Sequence, residues 1–177
     1  MTIRDIVQGP HPELSKISAD IMAFDAATMQ LTTDITETLA FHHAVGIAAP
    51  MFGVHKRIIA MQHSAFGVLV LVNPLITTAS QEMQEVEEAS LCYPGISAKV
   101  TRPARVTVAF QDTNGTGQSL DFEGFEACVV QHEMDYLDGK VYLDYLTPLK
   151  KRMLLEKMQK LLKQGKIHVH SASCNHG

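Results

Sequence analysis

The segment Gln131-His132-Glu133-Met134-Asp135-Tyr136 places an imidazole, a carboxylate and a phenol at one-turn spacing inside an apolar stretch. On a helix, positions i and i+4 share a face, so a His-Glu-x-x-His segment would present two imidazoles to one divalent cation, with the glutamate beside them as general base. Here the second imidazole position is Tyr136. A phenol with an ordinary pKa of ~10 is a poor zinc or iron ligand at neutral pH. Taken alone, His132 on an apolar helix would be a hydrogen-bonded core residue; Gln131, Asp135 and Gly139 around it favour a site. A buried Glu133 without a cation is expected to have a raised pKa or a new partner such as Tyr136.

Two further blocks precede this one: Val45-Gly46-Ile47-Ala48-Ala49-Pro50-Met51 and Glu87-Glu88-Ala89-Ser90-Leu91-Cys92-Tyr93-Pro94-Gly95. In order and separation the three resemble the peptide deformylases, whose motifs read Gly-x-Gly-x-Ala-Ala-Pro-Gln, Glu-Gly-Cys-Leu-Ser and Gln-His-Glu-x-Asp-His. The resemblance extends from Ile3 to Lys163. It implies an α+β fold, with antiparallel sheets around the central motif helix and a C-terminal helix. It also implies hydrolysis of the N-formyl group from nascent peptides that begin with formyl-methionine. In that scheme a cysteine and two histidines hold a ferrous or zinc ion. The glutamate moves protons, while the glutamine of the first block and a backbone N–H in the second stabilise the oxyanion.

Carried over position by position, Glu133 is the general base, His132 a metal ligand and Leu91 the backbone oxyanion position. The other two ligand positions hold Ser90 and Tyr136, and the oxyanion glutamine position holds Met51. Ala44 and Ala89 replace glycines, and an arginine found near the substrate in the family is absent around Ser97. A serine hydroxyl ionises with difficulty, and a thioether has no hydrogen to give an oxyanion. Loss of one such donor costs about 10²- to 10³-fold in turnover.

These substitutions lead to the expectation of a peptide deformylase-like protein with a degenerate metal site. It would use no cofactor and lack ordinary deformylase turnover, and its cleft (Gly46, Ile47, Leu91, Phe125) would bind a peptide or small acyl ligand. The alternative is an active amide or formamide hydrolase with a rearranged site of Cys92, His132 and Glu133, with or without Fe2+ or Zn2+. In an extended segment Ser90 and Cys92 would share a face ~7 Å apart. Cys92 would then be a displaced ligand, a nucleophile, or a small half-buried side chain.

The positioning elements are legible in part. Apolar spacing at Met29, Leu31, Ile35, Leu39 and Phe41 predicts a helix over Asp25 to His43, and Phe125 to Leu137 the motif helix. Strands are expected at Arg57 to Met61, Val68 to Val72 and Val106 to Gln111. A last helix starts with Thr147 as N-cap and Pro148 at its first position, and ends near Gly165. Its stripe of Leu149, Met153, Leu154, Met158, Leu161 and Leu162 is expected in the core, with a homodimer contact as the alternative.

With 177 residues, 46% hydrophobic, the chain is expected to form one domain over residues 1–165, followed by a flexible tail, 166–177, that carries His168, His170, Cys174 and His176. A net charge of -4 gives the core no nucleic-acid footprint. The lysines and arginine from Lys150 to Lys166 read as a solvated helix face, with ribosome contact as a minor alternative. No run of about 18 apolar residues suggests a membrane span. Three scattered cysteines suit a reducing cytoplasm.

Overall fold

The computed structural model describes residues 3–169. Strands β1 (Gly46–Ala48), β2 (Ile58–His63), β3 (Gly67–Ala79), β6 (Arg105–Gln111) and β7 (Gly117–Glu123) form an antiparallel sheet in the order β1-β2-β3-β6-β7. A separate hairpin pairs β4 (Met83–Ser90) with β5 (Tyr93–Pro103), with Val86 opposite Val100 and Ser90 opposite Tyr93. The α+β architecture with antiparallel sheets is therefore as expected.

Helix α1 (Ala26–Phe41) begins where the Asp25 side chain accepts the Thr28 N–H at 3.1 Å, satisfying a donor that the first turn leaves free. Thr28, Ile35, Thr38 and Leu39 turn inward at i, i+3, i+4 spacing. Met29 falls outside that series and is 64% exposed. On the same face the buried Asp34 receives Arg4 at 2.6 and 2.9 Å and Gln30 at 2.8 Å.

Strand β3 changes partner in mid-course. Up to Val72 it pairs with β2; with β6 it pairs at Val72 and, after a register shift at Asn73-Pro74, from Leu75 onward. Asn73 adopts a φ of 50°, and its side chain accepts the Ile21 N–H and donates to the Ile21 carbonyl, both at 2.8 Å. The bend is therefore fastened by a side chain able to mimic backbone.

Helix α2 (Gly124–Leu137) lies between the two sheets, packed on β1, β2 and β7 and touching β4, β5 and β6. Every residue from Ala127 to Met134 is buried, as are Tyr136 and Leu137. A helix covered on all sides has no polar stripe, so its apolar periodicity is weak. Full burial of Val130 and Leu137 contributes about 1.5–3 kcal/mol each. The helix stops at Gly139, whose φ is 70° and where a Cβ would lie 2.5 Å from the Ser15 carbonyl oxygen.

Helix α3 (Pro148–Lys163) starts with the Thr147 hydroxyl accepting the Lys150 N–H at 3.3 Å and packs on β5. Met158 is fully buried and Leu154 and Leu162 are partly buried, whereas Leu149 and Met153 are each 59% exposed. The expected inward stripe thus holds for only part of its members. No helix among the described residues is long and apolar enough to cross a membrane. His170, Cys174 and His176 lie outside the described residues.

Candidate functional site

The three sequence blocks converge on a cavity of about 610 Å³ between β1, the β4–β5 hairpin and α2. Gly46, Met51, Ser90, Leu91, Phe125, His132 and Glu133 all line it. Three residues expected nearby do not: Ile47, Cys92 and Tyr136 have no exposed surface and belong to the core. The close approach of β1 to α2 requires Gly46, because a Cβ there would meet Glu133 Oε1 at 2.6 Å and Val129 Cγ1 at 2.9 Å.

One side of α2 carries a charged network. His132 Nδ1 lies 2.6 Å from Glu88 Oε1, so its N–H faces the carboxylate. Arg102 donates Nε and Nη2 to the two oxygens of Glu88, at 2.7 and 2.9 Å, and Nη1 to Asp135 at 2.9 Å. Tyr145 donates its hydroxyl to Asp135 at 2.9 Å, and its ring lies 4.7 Å from the Arg102 guanidinium carbon. Burial opposes the charge on Glu88, but His132 and Arg102 outweigh it and lower its pKa. Burial also opposes charge on His132, and the hydrogen bond to Glu88 prevails, so its pKa is raised. The two directions agree, and both favour the charged forms of the pair.

Glu133 has no such support. Its Oε2 is buried without a hydrogen-bond partner, and burial pushes its pKa up to about 7, against the pull of His132. The expectation of a raised pKa agrees with this. Tyr136 is not its hydrogen-bond partner, because that hydroxyl lies 2.6 Å from Ser90 Oγ.

Ser90 Oγ also accepts the Cys92 N–H at 3.1 Å. Ser90 closes β4 and Tyr93 opens β5, so Ser90 to Tyr93 is a tight turn. The extended segment expected from sequence is absent, and the thiol of Cys92 turns inward toward the hydroxyls of Ser90 and Tyr136. Burial pushes that thiol up to about 12, despite the hydrogen bonds from Tyr136 and Ser90. Tyr136, fully buried, is pushed well above the usual phenol range by the same cause.

Met51 is 1% exposed, and its sulfur accepts the Ala48 N–H at 3.3 Å. It takes up the Ala48 N–H and supplies no donor of its own. Ser97, at the missing arginine, donates to Glu87 at 2.6 Å. Of the three ligand positions only His132 has the nitrogen or thiolate chemistry that a borderline cation prefers. Among the described residues no group of three or more His, Cys, Asp or Glu is placed to hold a metal.

Sequence reasoning missed Arg102 and Tyr145. Both lie outside the three blocks, and only the hairpin register, with Arg102 opposite Gln84, brings the guanidinium over Glu88. The one available signal was the pair of acidic residues, Glu88 and Asp135, inside the second and third motif blocks, since carboxylates buried at a site need a cation.

Residues 3–152 match the family described as polypeptide deformylase. A peptide deformylase-like protein of Rickettsia conorii is 38% identical over 174 residues, covering 97% of this chain and 95% of the relative. A peptide deformylase of Rhizobium meliloti is 34% identical over 167 residues, covering 92% and 96% respectively. The crystal structure of peptide deformylase from Ehrlichia chaffeensis matches with a TM-score of 0.88 at 32% identity, over 94% of this chain and all of that one. Its complex with actinonin gives a TM-score of 0.86 at 33% identity, over 90% and 98%. Similarity that spans both partners almost end to end, with the motif helix at the centre of the shared fold, makes this chain a member of the polypeptide deformylase family.

Proposed function

We propose that this chain binds an apolar peptide N-terminus or small acyl ligand in the family cleft and does not carry out ordinary deformylation. The observation that carries this reading is the 2.6 Å hydrogen bond between Ser90 and Tyr136. Two positions that in the family's motifs supply a thiolate and an imidazole are here neutral hydroxyls, bonded to each other. Neither ionises readily, because serine is a weak acid and burial raises the Tyr136 pKa further. The donor set does not suit a divalent cation, and no catalytic step is assigned to one.

Met51 supports the same reading, because its thioether stabilises no developing oxyanion. The rearranged-hydrolase alternative loses its nucleophile. Cys92 has no exposed surface and its thiol stays protonated at neutral pH, whereas nucleophilic attack needs an accessible thiolate. What remains is a cavity with apolar walls, among them Val45, Leu91 and Phe125, and a polar end at His132 and Glu133. That pattern suits a ligand with one apolar side chain beside an amide.

The test is metal content per chain on anaerobically purified protein, with a formyl-methionyl peptide assay on the same sample. The His132→Ala variant corrects for ions held elsewhere. The expected outcome is no metal difference between the two proteins and no turnover; one His132-dependent ion per chain with turnover would overturn the proposal. Ser90→Cys with Tyr136→His should create stoichiometric metal binding, and adding Met51→Gln should then produce turnover.

A further inference from the structure

The cavity is not closed by the family motifs alone. Beyond α3 the chain turns at Gly165, whose φ of 66° ends the helix with its N–H on the Leu162 carbonyl and the Lys166 N–H on the Leu161 carbonyl. The turn sends residues 167–169 back across β5, and Ile167, His168 and Val169 all line the cavity. The first residues of the segment expected to be a tail thus form part of the cavity wall.

The seat of this segment is specific. Gly95 has a φ of 77°, and a Cβ there would lie 2.8 Å from Ile167 Cδ1 and 3.2 Å from Leu161 Cδ1. The positive φ favours glycine here, and the bare backbone lets the ends of the helix side chain and the returning side chain meet closely over β5. Ile167 packs against the core from this seat while also facing the cavity.

We infer that Ile167, seated on Gly95, is a specificity-determining residue of the cleft, setting the size of apolar side chain that the cavity accepts. This rests on the ligand-binding reading above. Because the cavity has a volume of about 610 Å³ with the segment in place, Ile167 acts as a wall and not as a plug. Shortening it should enlarge the apolar end while leaving the polar end at His132 and Glu133 untouched.

The test is calorimetric titration of the full chain and its Ile167→Ala variant with two probes, formyl-Met-Ala and formyl-Trp-Ala. Met153→Ala, on the exposed face of α3, serves as the control. Ile167→Ala is expected to weaken formyl-Met-Ala about fivefold, the loss of one partial apolar contact, and to leave formyl-Trp-Ala unchanged or tighter. The ratio of the two affinities then moves about fivefold or more, and the control does not move it. An unchanged ratio overturns the inference and leaves the cleft reading standing. Equal loss of both probes with a lowered thermal midpoint assigns Ile167 a purely structural role and also overturns it. If the unaltered chain binds neither probe, the cleft reading fails and this inference falls with it.

Discussion

Two sets of polar groups around the same helix meet the problem of burial in different ways. His132 and Asp135 join a network in which each charge has an opposite partner within 3 Å: Glu88 against His132, and Arg102 against both Glu88 and Asp135. At the centre of the motif, Ser90 and Tyr136 satisfy each other as neutral hydroxyls, and Glu133 is left with an unpartnered oxygen. The charged side is stable only as a whole, because removing one ion strands the others in low dielectric. The neutral pair can be altered one atom at a time at modest cost. A site can therefore exchange its central ligand types while the network that orients the helix stays in place.

Breaking the charged side should produce the largest effect. Arg102→Ala leaves Glu88 and Asp135 buried together without their guanidinium, and is expected to cost about 3–5 kcal/mol in urea unfolding. Adding Glu88→Gln and Asp135→Asn should recover part of that loss. A loss below about 1 kcal/mol would show that water enters and the network is not a desolvated unit.

Glu133 gives the next effect, and its sign is opposite. With its folded pKa at about 7 against an ordinary 4.5, the protonated form is the one the fold favours. Its stabilising contribution is complete below pH 4.5 and is lost as the pH rises through 7. Glu133→Gln remains neutral, so it should be about 1–3 kcal/mol more stable than the parent at pH 8, with the difference shrinking toward zero at pH 4. Paired thermal melts across this range check it. A variant less stable at pH 8 would mean that the carboxylate has found a partner.

The sequence carried the fold well where elements are half-buried and poorly where they are wholly buried or charged. α1 and the N-terminus of α3 follow from spacing and from Asp25, Thr147 and Pro148. The β4–β5 hairpin was not among the expected strands, although the alternation along β4 is that of a strand with one covered face. At the site, the identities of Ser90, Tyr136 and Met51 were legible from the motif register. Their partners were not, since those depend on a two-residue turn that moves Cys92 inward and on a hairpin register that delivers Arg102. Local spacing carries no information on contacts between residues 14 to 46 positions apart, as Arg102–Glu88 and Ser90–Tyr136 are.

The neutral centre and the surface give the smallest effects, and they calibrate the comparison. Tyr136→Phe removes one hydroxyl, leaving Ser90 Oγ still bonded to the Cys92 N–H, so the expected loss is about 1 kcal/mol. It should also leave metal content unchanged, because the phenol is not expected to act as a ligand. Arg152, 3.8 Å from Glu156 with both side chains at least 70% exposed, is the solvated counterpart of Arg102. Arg152→Ala should therefore change stability by less than about 0.5 kcal/mol in the same urea titration. If Arg152→Ala and Arg102→Ala cost the same, burial is not what distinguishes the two arginines, and the contrast between the charged network and the neutral pair loses its physical basis.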